Sequence, residues 1–139
     1  VYEPITRENL PECYAMNEEW LRQNAGDAGI QQEHTAVQRF FDHYFDLELQ
    51  GALIRVDGRV VAYTMGEPIN ERVFDTHLEK AFYDVQGAYA IINQQFAEHV
   101  CKDYELINRE EDLGEEGLRK AKTSYQPELL LEKWYAVLK

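Results

Sequence analysis

The sequence predicts a mixed α/β domain with element order α-α-β-β-β-α-β-α-β. Two observations carry this. Asp57-Gly58 sits between two runs of alternating apolar residues, which marks a β-hairpin. Apolar residues also recur at helical spacing before the hairpin and twice after it, where each helix leads into a strand-like run. Adjacent strands followed by strands separated by helices make a mixed sheet.

Each element follows from its own pattern. Residues Glu8 to Asn24 read as a helix, with Leu10, Cys13, Tyr14 and Leu21 at helical spacing and Trp20 beside the stripe. Gly26 and Gly29 end it. A second helix is expected from Thr35 to Leu47, where Val37, Phe40, Phe41, Tyr44 and Phe45 form an aromatic face spaced for core packing. In the hairpin, Ala52, Ile54 and Val56 alternate with Leu53 and Arg55; Val60, Ala62 and Thr64 alternate with Val61, Tyr63 and Met65. Gly66 to Arg72 is a loop. Val73 to Lys80 is a third strand, with Phe74, Thr76 and Leu78 on one face and Asp75, His77 and Glu79 on the other. Gly87 opens a helix that buries Ala88, Ile91, Ile92, Phe96 and Val100. Tyr104 to Asn108 is the next strand, and Glu115 to Ser124 the helix after it. Pro127 blocks further helix, and Leu129 to Leu138 is expected as a terminal strand.

Composition narrows the function. The 139 residues are one domain's worth of chain, and 45% hydrophobic content supports a folded core. A net charge of −12 repels phosphate backbones, so no DNA partner is expected. The basic clusters, Arg119 with Lys120 and Lys122, and Arg55 with Arg59, are small. Cys13 and Cys101 have no CxxC or histidine spacing and read as reduced, buried thiols. No apolar run approaches the ~20 residues of a membrane helix, and no signal peptide is visible. The chain therefore reads as cytoplasmic. It begins with Val, so a fragment of a longer protein is expected. His34, His43, His77 and His99 lack metal-ligand spacing, so no metal is expected.

Two stretches carry a family resemblance. The element order, and Ala121-Lys122-Thr123-Ser124-Tyr125, resemble the GCN5-related N-acetyltransferase (acyl-CoA N-acyltransferase) fold. Ile107-Asn108-Arg109-Glu110-Glu111-Asp112-Leu113-Gly114, followed by Gly117-Leu118-Arg119-Lys120-Ala121-Lys122, is similar to the C-terminal domain of phosphatidylglycerol lysyltransferases within that superfamily. Glu79-Lys80-Ala81, Gly87-Ala88-Tyr89 and Leu129-Leu130-Leu131-Glu132-Lys133 agree with the same pattern. The resemblance covers roughly residues 50 to 139. It implies a tandem of two such folds that moves an aminoacyl group from tRNA to a lipid. Residues 1–30 would then be a connector helix and 31–139 the acyltransferase-like domain, packed on an N-terminal domain of the same protein.

The resemblance also assigns candidate chemistry. The acetyltransferase phosphate loop reads Arg or Gln, two residues, Gly, one residue, then Gly or Ala. Here that stretch is Asp84-Val85-Gln86-Gly87-Ala88-Tyr89. Gln86, Gly87, Ala88 and Tyr89 would face acyl-CoA, with the helix amides on the pyrophosphate. Only Gly87 fits; Asp84 would repel the group and Tyr89 fills a place meant for a small residue. The alternative is that Gly87 is a helix-start turn residue and Asp84 its cap. Asn108, Glu110 and Asp112 alternate along a strand and its exit, as do Arg109 and Glu111, while His77 and Glu79 come from the neighbouring strand. Such carboxylates could hold an acceptor's ammonium, and Glu110 or Glu111 could act as its general base. His77, Glu79, Asn108, Arg109 and Asp112 would line the cleft. The alternative is that Asp112 caps the next helix, Arg109 pairs with a glutamate and the rest are solvated. Tyr125 would protonate the leaving group, or else pack its ring under Leu118 and Ala121. The expected function is acyl or aminoacyl transfer, from acyl-CoA or aminoacyl-tRNA to a small amine or hydroxyl acceptor. The rival is a non-catalytic half-domain that packs on an N-terminal partner.

Overall fold

The computed structural model describes residues 1–24, 28–111, 114, 116–134 and 136–138, and only the backbone of 28–32. They form two compact units, Val1–Asn108 and Arg109–Lys139.

The first unit is a five-stranded sheet whose spatial order equals its chain order. Its strands are β1 (Tyr2–Pro4), β2 (Gln50–Val56), β3 (Arg59–Pro68), β4 (Val73–Ala81) and β5 (Leu106–Asn108). Its helices are α1 (Leu10–Gln23), α2 (Ala28–Asp42) and α3 (Ala88–His99). β1 to β4 pair antiparallel. β5 follows the α3 crossover and pairs parallel to β4, as a crossover connection requires. The hairpin turn is the expected one. Asp57 and Gly58 both take positive φ, 49° and 82°, the backbone that a two-residue hairpin demands.

Helices cover both sheet faces. Tyr63 of β3 turns to α1 and α2, with its ring 5.4 Å from Phe41 and its hydroxyl donating to Asn17 Oδ1 at 2.8 Å. Phe74 of β4 turns the other way, edge-on to Phe96 of α3 at 5.6 Å. Both are fully buried, as are Leu53, Met65, Phe82 and Ile92.

One irregularity shapes everything below. The pair Met65↔Leu78 is followed by Gly66↔Thr76, so His77 has no partner on β3. This β-bulge adds one residue to β4 and shifts the alternation beyond it. His77 stacks on Phe40 of α2, and Lys80 reaches Trp20 of α1 and Glu33 of α2. In a regular strand, side chains three residues apart would face opposite ways. The sequence placed Glu79 on one face with Asp75 and His77. The bulge corrects this: Lys80 joins His77 toward α1 and α2, and Glu79 turns to the α3 side.

Other expectations are also corrected. Residues 1–24 contribute β1, a strand not foreseen, to the sheet and bury Cys13, Met16 and Trp20 in its core. α2 starts at Ala28 and ends at Asp42, earlier at both ends than expected. A glycine in the first turn costs a helix only about 1 kcal/mol, so Gly29 does not stop it; Gly26 lies outside the described residues. The strand expected at Leu129 to Leu138 is absent among the described residues. A strand is stabilised by a neighbour's ladder, and these residues have none.

Arg55 ties β1 and α1 to the hairpin. Its guanidinium donates to Glu3 at 2.9 and 3.2 Å and to Glu12 at 2.6 and 3.1 Å. Those bonds hold both carboxyls below their ordinary 4.5. A carboxylate depressed on folding contributes stability above its unfolded pKa and loses it as pH falls through the folded value. Arg55→Met is therefore expected to melt below wild type at pH 7, with the gap closing as pH falls below 4.5. Circular-dichroism melts across pH 3–7 check this.

The second unit is Arg109–Lys139. Its helix α4 (Glu116–Ser124) buries no side chain. Lys122 Nζ donates to the carbonyls of Arg109 and Glu111, both at 2.6 Å, and so gathers the segment that precedes the helix.

Candidate functional site

β4 and β5 pair over three positions, Val73↔Leu106, Phe74↔Ile107 and Asp75↔Asn108. β5 ends there, while β4 runs on through residues 76–81 on β3 alone. The strands thus part at their carboxyl ends, the place in open α/β sheets where ligands gather. The bulge at His77 lies immediately past the last parallel pair, and the extra twist of a bulge turns β4 away from its neighbour.

At this fork His77 stands between two carboxylates. Its Nε2 lies 2.9 Å from Glu67 Oε1, and its Nδ1 3.7 Å from Asp75 Oδ2. The imidazole stacks on Phe40 at 5.2 Å with rings 24° apart. Only 17% of the His77 side chain and 12% of Asp75 are exposed, against 43% of Glu67. The arrangement follows from the register. Glu67 pairs with Asp75 across β3 and β4, so their side chains share a face. His77, two residues beyond Asp75 and opposite no β3 residue, turns to the same face. A proton on Nε2 would bond to Glu67 and make Nδ1 the basic nitrogen; the other tautomer would place the proton toward Asp75. Imidazole and carboxylates are also ligand types for divalent cations, but the chemistry below needs none.

Of the predicted residues, His77 and Asn108 stand at the fork, both half-buried. Glu79 is on β4 but on the other face. Gln86 and Gly87 are exposed at the start of α3, where Gly87 takes the left-handed φ of 80°; Ala88 is buried and Tyr89 half-buried. Asp84 supplies no side-chain cap to that helix, whose N-cap is Gly87. In the second unit, Glu111 pairs with Lys133 at 3.2 Å, and Arg109 lies over the Tyr125 ring at 5.2 Å. Glu110 is exposed with φ of 55°. Asp112 lies outside the described residues. Sequence reasoning missed Glu67, taken as loop, and gave Asp75 no role. No local signal marks the pair, because Glu67 meets Asp75 only through the register that β3 and β4 take on the turn side of the bulge. A shallow depression of ≈ 780 Å³ lies beside the β3–β4 turn, lined by Pro68, Asn70, His99 and Tyr104.

The mixed sheet with helices on both faces is an α/β fold of the acyltransferase type. The family model for the C-terminal domain of phosphatidylglycerol lysyltransferase matches residues 1–137, and the chain belongs to that family. A conserved protein of unknown function from Bacteroides thetaiotaomicron VPI-5482 is 43% identical, with a TM-score of 0.89 over 94% of this chain and 45% of that one. This chain therefore spans less than half of that relative's length. The ribosomal-protein-alanine N-acetyltransferase of Brucella melitensis biovar Abortus 2308 superposes with a TM-score of 0.64 at 12% identity, over 100% of this chain and 99% of that one. AAC(6')-Iy bound to a bisubstrate analogue of CoA gives 0.64 at 10% identity, over 100% and 97%. These last two share the fold. No curated protein matches the chain. Among the described residues, no helix is long and apolar enough to cross a membrane.

Acyl-CoA, which the fold class implies, is a poor fit for the residues present. No lysine or arginine stands between Phe82 and Ala90, Asp84 is exposed at the turn, and Tyr89 is half-buried beside it.

Proposed function

We propose that this chain is an acyl-transfer domain that moves an aminoacyl group from an activated ester to a primary amine or a hydroxyl. The observation that supports it is His77 held between Glu67 and Asp75 where β4 and β5 part. The Asp75 carboxylate is counter-ion to the incoming ammonium. Nδ1 of His77 takes one proton from that amine, while Glu67 fixes the tautomer and steadies the imidazolium that forms. The freed nitrogen lone pair attacks the donor's acyl carbon. The acyl C–O bond breaks, the amide C–N bond forms, and the leaving oxygen takes a proton. The 3′ ester of an aminoacyl-tRNA, the donor that the family resemblance implies, is such an ester. In the second unit, Tyr125 beside Arg109 is proposed to protonate a leaving group, and Glu110 and Glu111 to orient substrate.

A transfer assay with labelled aminoacyl esters and a panel of amines tests the reading. Asp75→Asn is expected to raise KM for amine acceptors by about tenfold or more through loss of the counter-ion, with a smaller effect on hydroxyl acceptors. Equal KM changes for both classes would remove Asp75 from ammonium binding.

One observation favours a second reading. Leu130, Trp134 and Leu138 are 78%, 85% and 104% exposed, an apolar segment without cover in a chain less than half its relative's length. The chain is then one half of a tandem protein, with this segment packed on the other half. Failure of transfer by the full-length protein, with every ester tried, would leave this reading in place of the catalytic one.

A further inference from the structure

The far end of β4 is closed by side chains that the proposed reaction does not use. Ala81 is its last residue, and its carbonyl accepts a hydrogen bond from Trp20 Nε1 at 3.1 Å. Tyr89 is the second residue of α3. Side chains on a helix lean toward its N-terminus, so this phenol is carried back over the turn that joins β4 to α3. Its ring lies 5.6 Å from that of Tyr83. Burial, then Tyr83, push the phenol up, whereas the Ala81 amide and the Trp20 indole beside its oxygen pull it down. The hydroxyl thus stands among Ala81, Trp20 and Tyr83 at the strand's end.

The cations nearby are already engaged: Arg59, over the Phe82 ring at 4.3 Å, donates to Glu19 at 2.8 Å. Lys80, the residue before Ala81, already gives its ammonium to both oxygens of Glu33 at 2.9 Å and lies over the Trp20 ring at 4.3 Å. It is only 9% exposed. Asp84 stands exposed in the turn itself. A helix N-terminus attracts a diphosphate through its amides, but a few tenths of a charge compete poorly with a nearby carboxylate and a ring in the way.

We infer that Tyr89, aided by Asp84, bars nucleotide-diphosphate donors such as CoA thioesters from the start of α3 and so selects esters that lack that group. This rests on the acyl-transfer reading above, but its test reads ligand binding rather than turnover, so either can fail without the other.

The test is titration calorimetry with CoA on the chain and three variants, each first checked for folding by circular dichroism. D84R/Y89G restores a basic residue and a small one; D84R/Y89A repeats it with a better helix former, should glycine unfold the turn. D84R/Y89F keeps the ring. Expected are no heat of binding for wild type, and binding by D84R/Y89G or D84R/Y89A at least about tenfold tighter than by D84R/Y89F. Micromolar binding of CoA by wild type would overturn the inference. So would equal binding by the Phe and Gly variants, or no binding by any folded variant.

Discussion

Replacing His77 with Gln is expected to lower kcat for aminoacyl transfer by about 10²- to 10⁴-fold, the usual contribution of a positioned general base. Glutamine keeps an amide near Glu67 and most of the volume against Phe40, so the fork keeps its shape. It removes the imidazole, the side-chain type suited to proton transfer near neutral pH. The variant should therefore still bind acceptor, with KM changed little, and should melt near wild type. Its rate should also respond less to pH on the acid side, because the group whose protonation stops the reaction is gone. Single-turnover transfer measured from pH 5 to 9 checks all three. A kcat within about threefold of wild type would remove His77 as the base, since no general-base role is that small. Glu67→Gln is the companion. It keeps a hydrogen-bond partner for Nε2, so it should retain far more activity than the His77 variant.

Gly66→Ala is expected to destabilise the first unit by about 3 kcal/mol, or roughly 10 °C in Tm. A Cβ at this position would run into the Asp75 carbonyl and come within 2.7 Å of the Phe74 ring. The first obstacle is backbone and cannot swing aside. Phe74 is fully buried and wedged against Phe96 and Tyr104, so it cannot yield either. The strain falls at the bulge, which carries Asp75 and His77 on its flanks, so activity should drop beyond what lost stability explains. Calorimetry and the transfer assay at 15 °C separate the two effects. Gly117→Ala is the control: nothing lies within 4 Å of its Cβ, and alanine suits the first turn of α4 better than glycine. A Gly66→Ala protein with wild-type Tm would show that β3 and β4 are not in this register.

Much of the fold was legible because its signals are local. Asp57-Gly58 takes the positive φ values that its chemistry favours, and the alternating runs beside it pair antiparallel as a hairpin, with a bulge between Ile54 and Arg55. The aromatic stripe of α2 packs as core, with Phe41 against Tyr63. β1 escaped notice because three residues are too short to show a period; only the β2 edge makes them a strand. The tail failed for the opposite reason. Its apolar residues resemble a strand, yet a strand exists only beside a partner, and none of the described residues there has one.

The candidate site was half legible. His77 and Asn108 were singled out, and both stand at the fork, but the partners of His77 were not foreseen. Glu67 and Asp75 lie eight residues apart in sequence and opposite each other in the sheet. The extra residue at His77 leaves no mark in the hydrophobic pattern, because the Phe74 to Leu78 stretch reads as well without a bulge.

The amino-acid sequence alone determined the class of this domain, its hairpin, the central run of helices and strands from α1 to α4 and its family, since these follow from residue types and near-neighbour spacing. Only the tertiary structure decided which face of β4 each polar side chain takes and what stands beside it. A one-residue slip in pairing inverts every later side chain, and that slip arises from contacts between distant segments rather than from the residues of either strand.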